Sequence, residues 1–456
     1  MKTHDDLAVA AGASVDLDRW QRGFDELMLT IGARFARVEP RRRARAFLRG
    51  LLAGLPRANC WTIAEYAGEQ GPRGMQRLLR SAVVDADGLR DDLRGYVVEH
   101  LGEPGAVLVV DETGDVKKGT RTVGVQRQYT GTAGRIENAQ VAVYLVYAAA
   151  RGYAFIDRAL YLPRTWTGSP GRCREAGVPA DVEFATKPAL AAVMITRAVA
   201  AGAAARRAAG DEVYGNDPKL RAGIAACGLG FVLAVAKDHR ITTAAGIRRA
   251  IDLAVCLPPG GWQRMSAGDG AKGPRLYDWS YIETADPALP EDGQGANWLL
   301  VRRSIPAARD TKAEYAFYRA HAPGPVPLHA LVRVAGIRWK VEEGFAGGKE
   351  LTALDQHQVR SWTSWMRWTV LAMLAHAFLS VMTATQPGPG TGDVHRDEAG
   401  HELIPLTRNE IRRLYAGLLC RPRPARHQLH WSCWRRRHQA TARNCHYQRR
   451  QALTIT

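Results

Sequence analysis

Acidic residues are in short supply. Across 456 residues, 45 Asp and Glu face 63 Lys and Arg, giving a formal charge of +18 and an isoelectric point near 9.9. That balance sets the chain apart from an ordinary cytosolic enzyme and predicts a polyanionic partner. The last 36 residues, from Arg421 onward, contain nine arginines and no acid at all. Cysteine is also sparse: Cys60, Cys173, Cys227, Cys256, Cys420, Cys433 and Cys445 form an odd, scattered set, which fits reduced thiols and excludes a disulfide scaffold. Long hydrophobic runs are missing. The most apolar stretch, Thr369 to Ala384, is 16 residues with His376 in its middle, short for a bilayer and readable as a buried core helix. No apolar signal-peptide core opens the chain, so secretion is not expected. A Gly-x-Ser-x-Gly elbow is absent, and GDGAKG at Gly268 to Gly273 lacks the Lys-Ser/Thr ending of a P-loop, which disfavours a metal-free hydrolase and a nucleotidase. The remainder, 46% hydrophobic and 24% charged, is that of a globular protein of about two to four domains.

The positive charge is concentrated. In the tail, Trp431, Trp434, His438 and Tyr447 interleave with arginines, which suits bidentate phosphate contacts with rings available for bases. A second cluster, PRRRARAFLRG at Pro40 to Gly50, sets arginines on several sides of a helix. Two separated basic surfaces point to nucleic acid. Cys433, His438, Cys445 and His446 in the tail fit no standard zinc-finger spacing.

Hydrophobic periodicity divides the chain. Residues 16 to about 100 read as helices, with Leu17, Trp20, Phe24, Leu27, Met28 and Ile31 at three- and four-residue steps. CWTIAEYAGEQGPRGMQRLLRSA is compatible with a helix-turn-helix, or with any plain two-helix corner. From AVLVVDETG at Ala106 onward the texture becomes α/β, with strands, a helix at 187–200, a weak strand before Asp211, a helix from Pro218 and a strand at 231–237. Residues 242–330, richer in Gly, Pro and aromatics, read as an inserted β-rich module. Helices resume at 331–384, TQPGPGTGDVHRDEAG forms a linker, and Thr407 with Glu410 opens a capped helix. The expected division is an N-terminal helical, DNA-binding domain (1–104), a catalytic α/β domain in two parts (105–241 and 331–385) around the insertion (242–330), and a linker, capped helix and basic tail (386–456).

Three carboxylates stand at the ends or on the face of elements. Asp111 follows the apolar strand AVLVV, and Asp211 lies between the weak strand and the Pro-started helix; either is also good turn chemistry. In IRWKVEEGFAGGKE, at about 100° per residue, Arg338, Glu342 and Lys349 share one stripe and Glu343 points elsewhere. A solvated, salt-bridged helix gives the same pattern. Gly344, Gly347 and Gly348 weigh against it, each costing about 1 kcal/mol in a helix interior; they either permit a close approach or end the helix before Lys349. Three carboxylates are what magnesium-dependent phosphodiester chemistry needs.

VVDETGDVKKG, VGVQRQYTG, ENAQVAVYL, GDEVYG, GAKGPRLYDW, WLLVRRS, AGIRWKVEEGF and WSCWRRRHQATARNCHYQRR together resemble the DDE transposases of bacterial insertion sequences, the insertion sequence 701 family in particular. They lie within the wider group whose third motif is Tyr, two residues, Arg, three residues, Glu, six residues, Lys. The resemblance, from about Trp61 to Arg450, implies an RNase H-like α/β catalytic domain interrupted by a β-rich insertion. It implies Asp111, Asp211 and Glu342 as catalytic residues and ligands of two Mg²⁺ ions, for which Mn²⁺ substitutes. They stand 100 and 131 residues apart. Arg338 and Lys349 match the third motif's Arg and Lys; its Tyr falls at Ala335, a departure. DNA contacts are expected from Arg338, Lys349, Lys117, Lys118, Lys272, Arg275, Trp298, Arg435, Arg436 and Arg437, with Trp262, Trp279 or Trp298 stacking on a flipped base. The implied function is cut-and-paste transposition: strand cleavage at terminal inverted repeats and transfer of the 3′ ends into target DNA. The expected form is a homodimer on double-stranded DNA, cytoplasmic, nucleoid-associated and not in a membrane. The alternatives are a non-catalytic DNA-binding protein, such as a regulator or decayed transposase, and an RNase H-like nuclease without strand transfer.

Overall fold

The computed structural model describes residues 15–270, 273–289, 295–306, 313–386, 404–419 and 423–454, with the backbone alone at 446 and 449–454. The chain forms two compact units: Met1–Leu89 with Gly348–Val359 and Thr363–Thr456, and Arg90–Gly347 with Arg360–Trp362.

The first unit is helical. Helix Leu17–Thr30 starts at Asp16, whose Oδ1 accepts from the Arg19 N–H at 2.8 Å, and buries Trp20, Phe24, Leu27 and Met28 along one stripe. The helix Trp362–Ala384 is long and apolar enough to cross a membrane, but 89% of its apolar window is buried inside the protein. Phe378 packs edge-on to Phe24 at 5.6 Å and Trp368 edge-on to Phe47 at 5.3 Å. The segment therefore serves the core of the helical unit, whereas the sequence pattern assigns residues up to 385 to the catalytic domain. Helices Cys60–Ala67 and Arg73–Arg80 form the predicted pair: Asn59 and Thr62 make a capping box, and Gly68 ends the first helix at φ 83°. Thr407 caps helix Arg408–Leu414. The linker lies outside the described residues but for Thr385 and Gln386.

The basic tail is ordered. It is a helix, Ala425–Thr454, anchored on the N-terminal helices. Trp431 is wholly buried and its Nε1 donates to the Glu69 carbonyl at 2.9 Å, while Arg435 pairs with Glu65 at 2.5 Å. The spacing of Trp431, Trp434 and His438 places one aromatic stripe on an otherwise basic helix, and burial of Trp431 at its start anchors the segment.

The second unit is α/β and built on one ten-stranded sheet. Strands β1 (Val107–Val116), β2 (Gln126–Thr130), β3 (Arg135–Ala149), β4 (Gly152–Leu160), β5 (Arg207–Gly210) and β6 (Gly230–Val235) come first along the chain. The ribbon β7 (Arg240–Thr243) and β8 (Gly246–Arg249) follows, then β9 (Gln263–Gly270), β10 (Gly273–Glu283), β11 (Ala296–Arg303) and β12 (Tyr315–Ala322). The order is β2-β3-β1-β5-β6-β12-β11-β10-β9, with β4 on β3. β1, β5 and β6 are parallel, and β3 is antiparallel to β1, consistent with an RNase H-like domain. β5 reads RAAG, poor in β-formers, yet Ala208 and Ala209 are fully buried; parallel pairing to both neighbours outweighs propensity there. The β-rich residues after 242 do not stand apart as a module: β12 pairs with β6 from Phe317↔Val235 to His321↔Phe231, so β9 to β12 extend the same sheet.

Candidate active site

Register positions the first two acids. β1 and β5 pair in parallel through Val109↔Ala209; two residues further along each strand stand Asp111 and Asp211. β5 stops there, and Asp211 becomes the N-cap of the short turn Glu212–Gly215, its Oδ1 accepting from the Val213 N–H at 2.9 Å. β1 does not stop at Asp111, as the sequence suggests, but continues against β3 to Val116↔Ala139. Asp111 thus sits within a strand at the place where its parallel neighbour departs, the carboxyl ends of a parallel sheet being where sites form.

The electrostatics reflect that crowding. Burial, then the Asp211 carboxylate, push Asp111 up to about 7; Glu112 adds repulsion, while the Glu112 N–H and Arg338 pull the other way. Burial and then Glu112 likewise hold Asp211 above the ordinary carboxylate range, against the Val213 N–H and Arg338.

Glu342 lies in the first turn of helix Trp339–Thr352. Arg338 stands just before this helix and reaches two acids: its Nη2 donates to Glu342 Oε1 at 3.0 Å, and its Nη1 is 3.8 Å from Asp111 Oδ2. One guanidinium therefore links the first and third acids. Glu343 points away, accepting from Tyr153 Oη at 3.0 Å and Lys340 Nζ at 3.0 Å. The three glycines do not end the helix. A Cβ on Gly344 would come within 3.4 Å of the Phe155 ring, and Phe345 packs on Tyr144 and Phe155 at 5.5 Å; the small residue lets the helix lie close on β4. Ala335 is within helix Leu328–Ile337.

Other expected residues fall into three sets. Lys118, Arg436 and Arg437 are exposed. Lys117 lies 3.7 Å from Asp115, Arg435 is paired with Glu65, and Lys349 is in the last turn of its helix, in the other unit. Arg275 and Trp298 make contacts within the protein. Arg275 Nη2 donates to the carbonyls of Ala267 at 2.9 Å and Gly336 at 3.2 Å; Trp298 is 8% exposed and packs edge-on to Tyr281. Trp279 is also buried, and Trp262 lies under the Arg303 guanidinium at 4.2 Å. Lys272 lies outside the described residues.

Sequence reasoning missed the partners of Glu112, the residue beside Asp111. Its Oε1 takes Lys187 Nζ at 2.5 Å and its Oε2 takes Tyr214 Oη at 2.6 Å. Burial, then Glu112, hold the Tyr214 hydroxyl well above its usual range. A usable signal existed: Lys187 is the first residue of helix Lys187–Ala200, where a cation opposes the helix dipole, so its charge must be met elsewhere.

Among the described residues no three Asp, Glu, His or Cys side chains are grouped to hold one ion as they now lie. What joins Asp111 to Glu342 is a cation, Arg338. The donor set is nonetheless that of a hard divalent cation: oxygen ligands only, with the Asp211 carboxylate raising a buried Asp111.

A sequence profile of DDE superfamily endonucleases matches residues 32–247, spanning Asp111 and Asp211 but not Glu342. A probable transposase for insertion sequence element IS701 from Microchaete diplosiphon is 28% identical over 194 residues. This chain resembles the DDE transposases of the insertion sequence 701 type. The alignment covers 42% of this chain and 48% of that protein, about half of each.

Proposed function

We propose that this chain is a transposase that cuts DNA at the ends of its element and joins the freed 3′ ends to target DNA by the cut-and-paste route. Asp111, Asp211 and Glu342 are the acids of its divalent-metal site. The observation that carries the reading is the pairing of Asp111 and Asp211 at the carboxyl edge of adjacent parallel strands, with Asp111 pushed up to about 7. Two Mg²⁺ or Mn²⁺ ions bound by the three acids would lower the barrier to in-line attack on a phosphodiester. Around them, Glu112 holds Lys187 and Tyr214 against the Asp111 strand, and the cap made by Asp211 fixes its carboxylate. Arg338 neutralises the acids until DNA arrives and then turns its planar fork to a phosphate, with Lys349 as the second phosphate contact. The exposed Arg436 and Arg437 and the N-terminal helices grip inverted-repeat DNA, with two copies holding two ends in the bacterial nucleoid.

The test is a cleavage and joining assay on inverted-repeat DNA with Mg²⁺ or Mn²⁺. The wild-type chain should nick the ends and give joined product. Asp111→Ala, Asp211→Ala and Glu342→Ala should each bind the DNA normally in a gel shift yet leave it uncut. Binding without cleavage by the wild type would favour a non-catalytic DNA-binding protein, and cut ends without joined product would favour a nuclease.

A further inference from the structure

The helical unit contains a second feature with the chemistry of a ligand site. Between the pair Cys60–Ala67 and Arg73–Arg80 and the helix Ala425–Thr454 lies a cleft of about 680 Å³. Its floor is aromatic. Trp434 and His438, four residues apart on one helix face, are nearly parallel, 8° between ring planes and 5.3 Å between centroids. Trp61 meets both edge-on, at 4.8 Å and 4.7 Å. Trp431, buried beneath and 5.3 Å from Trp434, fixes the stack. The rim carries Arg73 and Arg437, both exposed, and among the described residues no acid lines the cleft. The acids nearest in sequence are already neutralised: Glu65 by Arg435, and Glu69 by Arg43 at 3.1 Å.

A flat ring stack ending in an exposed imidazole, with guanidinium groups at the rim, matches an aromatic ring joined to an anion. The volume is that of a single small-ligand pocket, far below what a duplex needs, and bases inside a duplex hide their faces. We propose that this cleft binds one unpaired nucleotide of a DNA strand, its base continuing the Trp434–His438 stack on the exposed His438 ring, and its phosphate held by Arg73 and Arg437. The proposal shares with the function above only that the ligand is DNA. It uses none of the three acids.

The experiment uses the full chain and a fluorescently labelled eight-nucleotide oligonucleotide carrying one 2-aminopurine, offered single-stranded, as a bulge in a duplex, and as a blunt duplex. Wild type should quench the 2-aminopurine in the first two and leave the third unquenched. Losing a stacking platform should weaken binding of the single strand about ten- to hundredfold. Trp434→Leu and the exposed His438→Ala should both show this, and Trp434→Phe should keep most of the affinity. Arg73→Ala with Arg437→Ala should weaken binding and flatten its salt dependence. Equal affinity for blunt and single-stranded DNA without quenching, or full affinity in His438→Ala, would overturn the proposal. Asp111→Asn separates the two readings. Quenching by a wild-type chain that cuts nothing leaves this site standing and removes the catalytic one; cleavage without quenching does the reverse.

Discussion

Asp111 is costly to ionise, and replacing it with Asn should therefore stabilise the metal-free chain. Its carboxyl is raised from an ordinary 3.8 to about 7 by burial, by Asp211 and by Glu112, and its side chain is only 15% exposed. A raised acid holds its proton more tightly in the folded chain. Its stabilising contribution is full below about pH 4 and is lost as pH rises through 7. At about 1.4 kcal/mol per tenfold change in proton affinity, the loss by pH 8.5 is about 4 kcal/mol, which for a unit of this size corresponds to a melting point lower by about 10 °C. Asp111→Asn carries no charge to bury and should escape that loss. The assay is thermal melting in EDTA from pH 5 to 8.5. Wild type should lose stability relative to the variant as pH rises through 7, and the two curves should separate by about 10 °C at the alkaline end. Millimolar Mn²⁺ should restore most of the wild-type loss and little in the variant. A variant no more stable than wild type at pH 8.5 would refute the electrostatic account of the site.

Arg338→Ala removes the cation that favours ionisation of both Asp111 and Asp211, so its alkaline loss should be deeper than that of wild type in the same melts; a shallower one would mean the arginine is not their counter-ion. Asp286→Asn leaves two buried guanidiniums without their carboxylate, Arg221 at 2.6 Å and Arg319 at 3.5 Å, and should cost about 3–5 kcal/mol in denaturant unfolding. Because Arg221 also donates to the Gly215 carbonyl at 2.8 Å, at the end of the turn that Asp211 caps, weaker Mn²⁺ binding should accompany the loss. Gly215→Ala would set a Cβ 1.9 Å from the Ala234 carbonyl, backbone against backbone. It should cost about 3 kcal/mol or more, and a fully stable variant would show that the turn is free to shift.

The α/β class was legible because apolar runs such as AVLVV mark central strands, and the helical first hundred residues because Trp20, Phe24, Leu27 and Met28 repeat at helical spacing. Asp211 was legible as a residue at a strand end, whereas β1 runs on past Asp111, and the adjacency of the two depends on the β1 to β5 register, which no local pattern encodes. Glu342 and Glu343 were separable by helical angle alone, and their different partners agree with it. The fate of the glycines was not readable, since Gly344 serves a contact with Phe155, 189 residues earlier in the chain. The burial of Trp298 was not readable, since an aromatic on a strand looks the same whether it faces solvent or core. The tryptophans of the arginine-rich tail already spoke against a solvated segment, and Trp431, buried with its Nε1 donating to the Glu69 carbonyl, is what anchors it.

The central claim is that Asp111, Asp211 and Glu342 act together on a divalent cation. Calorimetric titration of the full chain with Mn²⁺ tests it most directly, comparing wild type with Asp111→Asn, Asp211→Asn, Glu342→Gln and, as the neighbour bound instead to Lys340 and Tyr153, Glu343→Gln. The account predicts affinity at least about tenfold weaker in each of the first three and unchanged in the fourth. Equal binding in all five, or loss in Glu343→Gln alone, would contradict it.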